Sequence, residues 1–198
     1  SNSGRRAATE LDKKVAVELV GLHLDKAKFV TDISELAETE WRVSGIDQVS
    51  FLVSTNPGVP PGPLNKIASG GEMARFMLAL KVVLAEADPI MTLIFDEVDA
   101  GVGGAVAESV GERLGQLGSC GQVLVVTHSP QVAARGGNHW KVSKSTAADE
   151  EIESRVTTSV SALDLAERKE EIARMLAGRQ VTDEARAAAE SLLAGGCA

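Results

Sequence analysis

The sequence predicts an α/β fold with a mostly parallel sheet flanked by helices, a peripheral strand pair and C-terminal helices. Three observations predict it. Two apolar runs, "PIMTLIF" and "QVLVVT", lack the alternation of half-exposed strands, which is typical of parallel strands buried on both faces. A helical stretch from about Gly104 to Leu117 separates the runs, so that strand, helix and strand form a βαβ unit. The end of the chain has helical periodicity.

The N-terminal half is assigned from its apolar periodicity. Apolar residues recur at three- and four-residue steps between Arg5 and Leu24, which predicts an amphipathic helix. "AKFVTDI" and "DQVSFLVST" are rich in β-formers and predict strands. "TNPGVPPGP" predicts an irregular loop because proline and glycine dominate it. A wide apolar stripe then predicts a second long helix that ends near Ala87.

The C-terminal part continues with strands and then helices. "HWKVSKS" and "ESRVTTSV" predict a strand pair joined across the polar loop from Thr146 to Glu153. "DLAERKEEIARMLAG" predicts a helix that Gly178 terminates. "TDEARAAAESLLAG" predicts a final helix with Thr182 as its N-cap.

Composition and charge narrow the class of protein. With 198 residues, the chain can build one substantial core, or one domain with an appendage. A formal net charge of -8 argues against a free-standing nucleic-acid binder, whose surface is usually basic. Cys120 and Cys197 lack the paired spacing of a zinc site and are expected to be free thiols. No membrane span or signal peptide is recognisable, so we expect a cytoplasmic protein.

Charged residues follow both buried strands of the predicted βαβ unit. Asp96 and Glu97 come where "TLIF" ends, and His128 follows the next strand. Ligands collect beyond the carboxyl ends of parallel strands, where one carboxylate can hold Mg²⁺ and another can orient or deprotonate a water. The alternative is a solvated loop with a packed or capping histidine. Neighbouring strand ends would bring the three side chains into one crevice, which favours the active interpretation.

Ser69, Gly70 and Gly71 precede the second long helix. Free N–H groups and the positive end of the dipole make a helix N-terminus an anion site, and glycine lets the backbone approach the anion closely. The alternative is a turn in which Ser69 caps the helix. Alone, these three residues do not separate the two interpretations.

Four motifs in order resemble the C-terminal half of an ABC-type ATPase head. "SGGE" matches the signature loop, "MTLIFDE" the Walker B strand, "VDAGVGG" the D-loop and "VTHSPQVA" the switch-histidine loop. Longer stretches such as "FDEVDAGVGGAVAESVGERL" resemble the RecN family, bacterial DNA-repair proteins related to the structural-maintenance-of-chromosomes (SMC) group. The resemblance implies a P-loop-NTPase-like fold, the C-terminal lobe of an ABC ATPase.

One motif of such heads is missing. No G-x-x-x-x-G-K-[ST] occurs in the sequence, so no P-loop cradles the α- and β-phosphates. In the family that this chain resembles, an N-terminal lobe carries this loop, beyond a long antiparallel coiled coil. We therefore expect residues 27–198 to be the C-terminal lobe of a split head and the helix within residues 1–26 to be the root of the returning coil. The full-length protein would be an ATP hydrolase, and this chain alone would be inactive.

The resemblance implies one metal ligand, Asp96, and two catalytic residues, Glu97 and His128. Asp96 would help to hold Mg²⁺, Glu97 would polarise the attacking water, and His128 would contact the γ-phosphate region. In such heads, two protomers sandwich two ATP molecules, and catalysis is positioning and charge stabilisation around phosphoryl transfer to water.

The resemblance also implies binding to the nucleotide of the opposite protomer. Its residues would be Ser69, Gly70, Gly71 and Glu72, and Asp99 would couple the two sites. The implied cofactors are ATP and Mg²⁺. The implied partners are the N-terminal lobe, a second head, DNA and the RecA recombinase, at the bacterial nucleoid. Two alternatives stay open: a head lobe of another coiled-coil chromosome-maintenance ATPase, and a non-catalytic interaction module of the same fold.

Overall fold

A computed structural model describes residues 2–43, 45–66, 70–85, 92–147, 155–178 and 180–195. The chain divides into two compact units, residues 1–127 and 128–198. The first contains α1 (Asn2–Gly21), β1 (Lys28–Glu35), β2 (Asp47–Ser54), β3 (Gly62–Pro63), α2 (Gly70–Ala85), β4 (Thr92–Asp96), α3 (Gly104–Cys120) and β5 (Gln122–Val126). The second contains α4 (Pro130–Arg135), β6 (Trp140–Ala147), β7 (Arg155–Ala162), α5 (Leu165–Ala177) and α6 (Asp183–Ala194).

Helix α1 packs against β1 and α2 through its buried apolar stripe, which includes Val15 and Leu19. A polar contact fixes the same helix, because the Asp12 carboxylate accepts hydrogen bonds from the Thr31 backbone N–H at 2.8 Å and from its hydroxyl at 2.7 Å. The predicted amphipathic helix is therefore present. Its assignment as the root of a coiled coil stays a prediction.

Strands β1 and β2 form an antiparallel pair, with Phe29 opposite Val53, and the short β3 pairs with β2. Both strands match the predicted segments. The predicted irregular loop follows β2 and leads through β3 to a single 3₁₀ turn, Leu64–Lys66.

The predicted βαβ unit is confirmed. Strands β4 and β5 pair in parallel register, with Ile94 opposite Leu124 and Asp96 opposite Val126, and α3 connects them and packs on β5. Burial on both faces, however, was wrongly predicted, because Ile94 is 71% exposed and Val126 is 62% exposed. Only Phe95 of β4 is buried, since successive strand residues point to opposite faces and the described residues cover one of them.

Within the described residues, no further strand pairs with β4 or β5. The start of the predicted apolar run, residues 90–91, and the predicted end of the second long helix near Ala87 lie outside the described residues.

The second unit is built around a small core to which helices α4, α5 and α6 contribute. Its core contains Ala134 of α4, Ile172 and Ala173 of α5, and Ala189 of α6. The predicted strand pair is present as the antiparallel ladder β6–β7. Most of its predicted connecting loop, residues 148–154, lies outside the described residues.

Local signals in the sequence set the boundaries of the last two helices. Asp164 and Glu167 form a capping box at the start of α5, with bonds of 2.8 and 2.9 Å. Gly178 ends α5 with a φ of +75°, and the Thr182 hydroxyl caps α6 by accepting from the Ala185 N–H at 3.3 Å. Both predictions, the glycine stop and the threonine cap, are confirmed.

Among the described helices, none combines the length and the hydropathy that a membrane span requires.

Candidate functional site

The carboxyl ends of β4 and β5 lie side by side, because the two strands are parallel and in register. Asp96 is the last residue of β4, and its side chain is exposed. Glu97 follows, also exposed, with a φ of +55°. Residues other than glycine rarely adopt this left-handed backbone conformation, which costs them about 1–2 kcal/mol each. Backbone strain is therefore located at the residue predicted to polarise water.

A tight turn follows Glu97. The Ala100 N–H donates to the Glu97 carbonyl at 3.0 Å, and the Val102 N–H donates to the Asp99 carbonyl at 3.4 Å. The Asp99 side chain points into the unit and is 3% exposed. Its carboxylate accepts a hydrogen bond of 2.5 Å from the Thr127 hydroxyl. This bond joins the turn after β4 to the residue after β5.

The role of Asp99 across a dimer interface stays a prediction, and its observed contact lies within its own unit. Sequence reasoning missed Thr127 as the partner. The signal was a hydroxyl residue at the end of an otherwise apolar strand, "VLVVT".

Gly70 and Gly71 form the first turn of α2. A Cβ atom on Gly71 would lie 2.7 Å from the Ala100 carbonyl oxygen, whereas no described atom lies within 4 Å of the same position on Gly70. Gly71 is thus required for close packing of the helix start on the turn after Glu97. Gly70 instead leaves an exposed stretch of backbone. The Ser69 predictions, both as anion ligand and as cap, lie outside the described residues.

Glu72 is in the first turn of α2 and is half-buried, so its charge lies near the positive end of the helix dipole. Burial lowers the pKa of Arg75 one turn later, and the neighbouring Glu72 opposes this shift. The start of α2 therefore carries an acid and a base beside the exposed glycine. The nucleotide-binding role of Glu72 stays a prediction.

His128 is the first residue of the second unit and its side chain is exposed. It follows Thr127 directly and precedes Ser129, the N-cap of α4. The Ser129 hydroxyl accepts from the Val132 N–H at 3.5 Å and donates to the Gln131 side-chain carbonyl at 2.9 Å. Asp96 and Glu97 belong to the first unit, and the meeting of His128 with them in one crevice stays a prediction.

The donor set at the end of β4 fits Mg²⁺. The described ranges contain no group of three or more His, Cys, Asp or Glu side chains that could hold a metal. Mg²⁺ does not need such a cage, because it takes one or two carboxylates together with phosphate oxygens and waters. The exposed Asp96 carboxylate could serve as one such ligand, and this role stays a prediction.

A charged cluster in the second unit has a structural role. Glu171 is buried and accepts hydrogen bonds from the Lys141 ammonium at 2.6 Å and from Arg174, whose guanidinium approaches to 2.5 Å. These bonds, Arg174 first, lower the pKa of Glu171 to about 2. Burial lowers the pKa of His139, and the nearby Arg168 adds to the shift. Sequence reasoning assigned no role to His139.

Solved structures with a similar fold come from SMC ATPases. A chain from work on the ATP-driven dimerization and DNA stimulated activation of SMC ATPases matches with a TM-score of 0.52 and 16% identity, over 90% of this chain and 99% of its own. The Pyrococcus yayanosii Smc head domain matches with a TM-score of 0.59 and 18% identity, over 86% and 30%. The Pyrococcus furiosus Smc head domain matches with a TM-score of 0.56 and 19% identity, over 85% of this chain and 38% of its own. The fold is thus that of an ABC-type lobe of an SMC ATPase head.

Relatives in sequence identify the family. "DNA repair protein RecN" of Rickettsia bellii is 46% identical over 193 residues, 96% of this chain and 34% of the relative. The RecN protein of Halalkalibacterium halodurans is 42% identical over 195 residues, which are 98% of this chain and 34% of the relative. The chain belongs to the RecN family and spans about a third of the length of these curated relatives. No protein-family model matches it.

Proposed function

We propose that this chain is the C-terminal lobe of a RecN-like ATPase that acts in the repair of DNA double-strand breaks. The observation that carries the proposal is the contact between two of the candidate motifs. The glycine start of α2 packs directly on the turn that follows Asp96 and Glu97, with Gly71 against the Ala100 carbonyl. Gly71 of "SGGE" and Ala100 of "VDAGVGG" are thereby neighbours within one compact unit.

The exposed face of the parallel strand pair supports a role as half of a head. Ile94 and Val126 are both more than half exposed, although they lie in strands with the composition of a buried sheet. A second lobe, carrying the phosphate-binding loop, would cover this face. The greater part of each relative's length lies beyond the matched region and could provide it. ATP hydrolysis then requires the longer protein.

Each exposed group at the strand ends has a role in this proposal. Glu97 would orient the attacking water and accept its proton, and the Asp96 carboxylate would help to hold Mg²⁺. When bound, Mg²⁺ neutralises charge on the phosphate oxygens. His128 donates a hydrogen bond to the γ-phosphate. His128 and the metal ion would thus offset negative charge on the phosphate oxygens, whereas Glu97 would act on the water.

The start of α2 would act on the nucleotide of a second head. Free backbone N–H groups at Gly70 and Gly71, together with the Ser69 hydroxyl, would bind its γ-phosphate. ATP would then join two heads and hydrolysis would release them. This agrees with the ATP-driven dimerization named for the SMC relative.

The remaining partners belong to the full-length protein. The chain's net charge of -8 makes it a poor DNA-binding surface by itself, so DNA contact is assigned to the other parts of the protein. Relatives named as DNA repair proteins support a task in repair. Contact with the RecA recombinase and a place at the bacterial nucleoid complete the proposal by analogy with the family.

Steady-state ATP turnover of the full-length protein tests the proposal. We expect turnover that Glu97→Gln lowers at least ~100-fold, because the water loses its general base. A matched control, Glu35→Gln, removes an exposed carboxylate at the end of β1 and should leave turnover unchanged. Robust turnover by the 198-residue chain alone, or a Glu97→Gln variant as active as the control, would refute the proposal.

A further inference from the structure

A single buried arginine holds the short helix that follows His128. Arg168 on α5 is 7% exposed. Its Nη2 group donates to the Ala134 carbonyl at 2.9 Å, to the Ala133 carbonyl at 3.3 Å, and also to the Gly136 carbonyl. All three acceptors lie at the C-terminal end of α4 or just beyond it.

The end of a helix needs such a partner. The last carbonyls of a helix have no N–H partner within it and carry the negative end of its dipole. Helix α4 has only six residues, far fewer than an isolated helix needs to be stable in water. The guanidinium of Arg168 therefore supplies hydrogen bonds to these carbonyls and adds positive charge at the C-terminal end of α4, where Arg135 also lies.

The opposite end of α4 is fixed as well. Ser129 caps its first turn, and Ala134 packs in the core with Ile172 and Ala173 of α5. Arg135 adds a further tie, because it donates to the Gly195 carbonyl after α6. The segment that begins at His128 is thus held in place by contacts with α5 and α6.

We propose that Arg168 is a positioning residue for His128. It does not touch the nucleotide; it holds α4 on α5 and so fixes the backbone from which the His128 side chain extends. This inference rests on the proposed function, in which His128 contacts the γ-phosphate. It assigns the C-terminal helices a part in catalysis as the support of the switch-histidine segment.

A merely structural arginine would have a different signature. If Arg168 served only the stability of the second unit, its loss would lower the unfolding temperature and leave the turnover of folded protein unchanged. A positioning residue instead lowers kcat of the folded protein. The Michaelis constant for ATP should change little, because nucleotide binding depends mainly on other groups.

The test uses the full-length protein with three variants. Arg168→Met keeps the apolar stem and removes all three hydrogen bonds; Arg168→Lys keeps the charge and part of the bonding. The matched control is Lys169→Met on the same helix, which loses only the exposed ion pair to Glu190 at 2.7 Å. ATP turnover is measured below the unfolding temperature of every variant, and amide hydrogen exchange is followed in peptides that cover residues 128–137.

We expect Arg168→Met to lower kcat roughly 10- to 100-fold, the range that a displacement of about 1 Å produces, with KM within about twofold. Arg168→Lys should recover part of kcat, and Lys169→Met should match the unaltered protein. Exchange should rise in residues 128–137 of Arg168→Met and stay unchanged in α3.

Each contrary result has its own meaning. Unchanged exchange in residues 128–137 of Arg168→Met or Arg168→Lys would overturn the anchoring of α4. Faster exchange with unchanged kcat would overturn the positioning role. Absence of turnover in the unaltered full-length protein would refute the proposed function and the catalytic half of this inference, while the exchange data would still decide the anchoring. If Arg168→Met does not fold, Arg168→Lys decides both.

Discussion

The two glycines at the start of α2 should respond in opposite directions to the same substitution. Both lie in the first helical turn, yet a Cβ atom on Gly71 would meet the Ala100 carbonyl oxygen at 2.7 Å and one on Gly70 would meet no described atom within 4 Å. Gly71→Ala therefore has to push the helix start away from the turn after Glu97. Gly70→Ala has nothing to displace.

The magnitudes follow from packing and helix propensity. Overpacking against a rigid neighbour costs about 1–3 kcal/mol, and the neighbour of Gly71 is backbone, which cannot rotate away. Replacing glycine by alanine in a helix stabilises the helix by about 0.5–1 kcal/mol. We expect Gly71→Ala to destabilise the chain by about 1–2 kcal/mol and Gly70→Ala to stabilise it by about 0.5 kcal/mol.

The assay is urea unfolding of both variants, followed by far-UV circular dichroism, with the slope of the transition checked to be unchanged. Each variant serves as the control of the other, because the residue types and the helix are the same. Equal stability of the two variants would refute the close approach of Gly71 to Ala100. In that case the contact between the two motifs would lose its support.

Three further predictions concern single side chains. Glu97→Gly should stabilise the chain by about 0.5–1 kcal/mol by relieving the left-handed strain, whereas Glu97→Ala should not; equal urea midpoints would contradict this. Thr127→Val should cost about 1.5–3 kcal/mol because the buried Asp99 carboxylate loses the hydrogen bond from the Thr127 hydroxyl, and Thr127→Ser should restore most of that. Glu171 has a folded pKa of about 2, below its unfolded value, so its contribution of about 2 kcal/mol is present above pH ~4.5 and lost as pH falls toward ~2. Unfolding free energies of Glu171→Gln and the unaltered chain across this window should converge at low pH, and parallel curves would contradict the assignment.

The sequence by itself determined the local elements and their order. Helical periodicity located α1 and the C-terminal helices, and continuous apolar runs located β4 and β5, because both patterns are local properties of the chain. Gly178 and Thr182 marked helix boundaries, since a left-handed stop and a hydroxyl cap act within a few residues of themselves. The motif order was enough to indicate an ABC-type ATPase head, and longer stretches such as "FDEVDAGVGGAVAESVGERL" indicated the RecN family.

Contacts between distant segments required the tertiary structure. The spacing of "SGGE" and "FDEVD" does not reveal that Gly71 packs on Ala100, that the Asp99 carboxylate turns inward to Thr127, or that Arg168 caps a helix far before it in sequence. The exposed face at Ile94 was even predicted to be buried, because an apolar run specifies what a strand can bury and not whether a partner is present. Which groups meet depends on how separate elements pack, and packing is a property of pairs of surfaces that no single stretch of sequence contains.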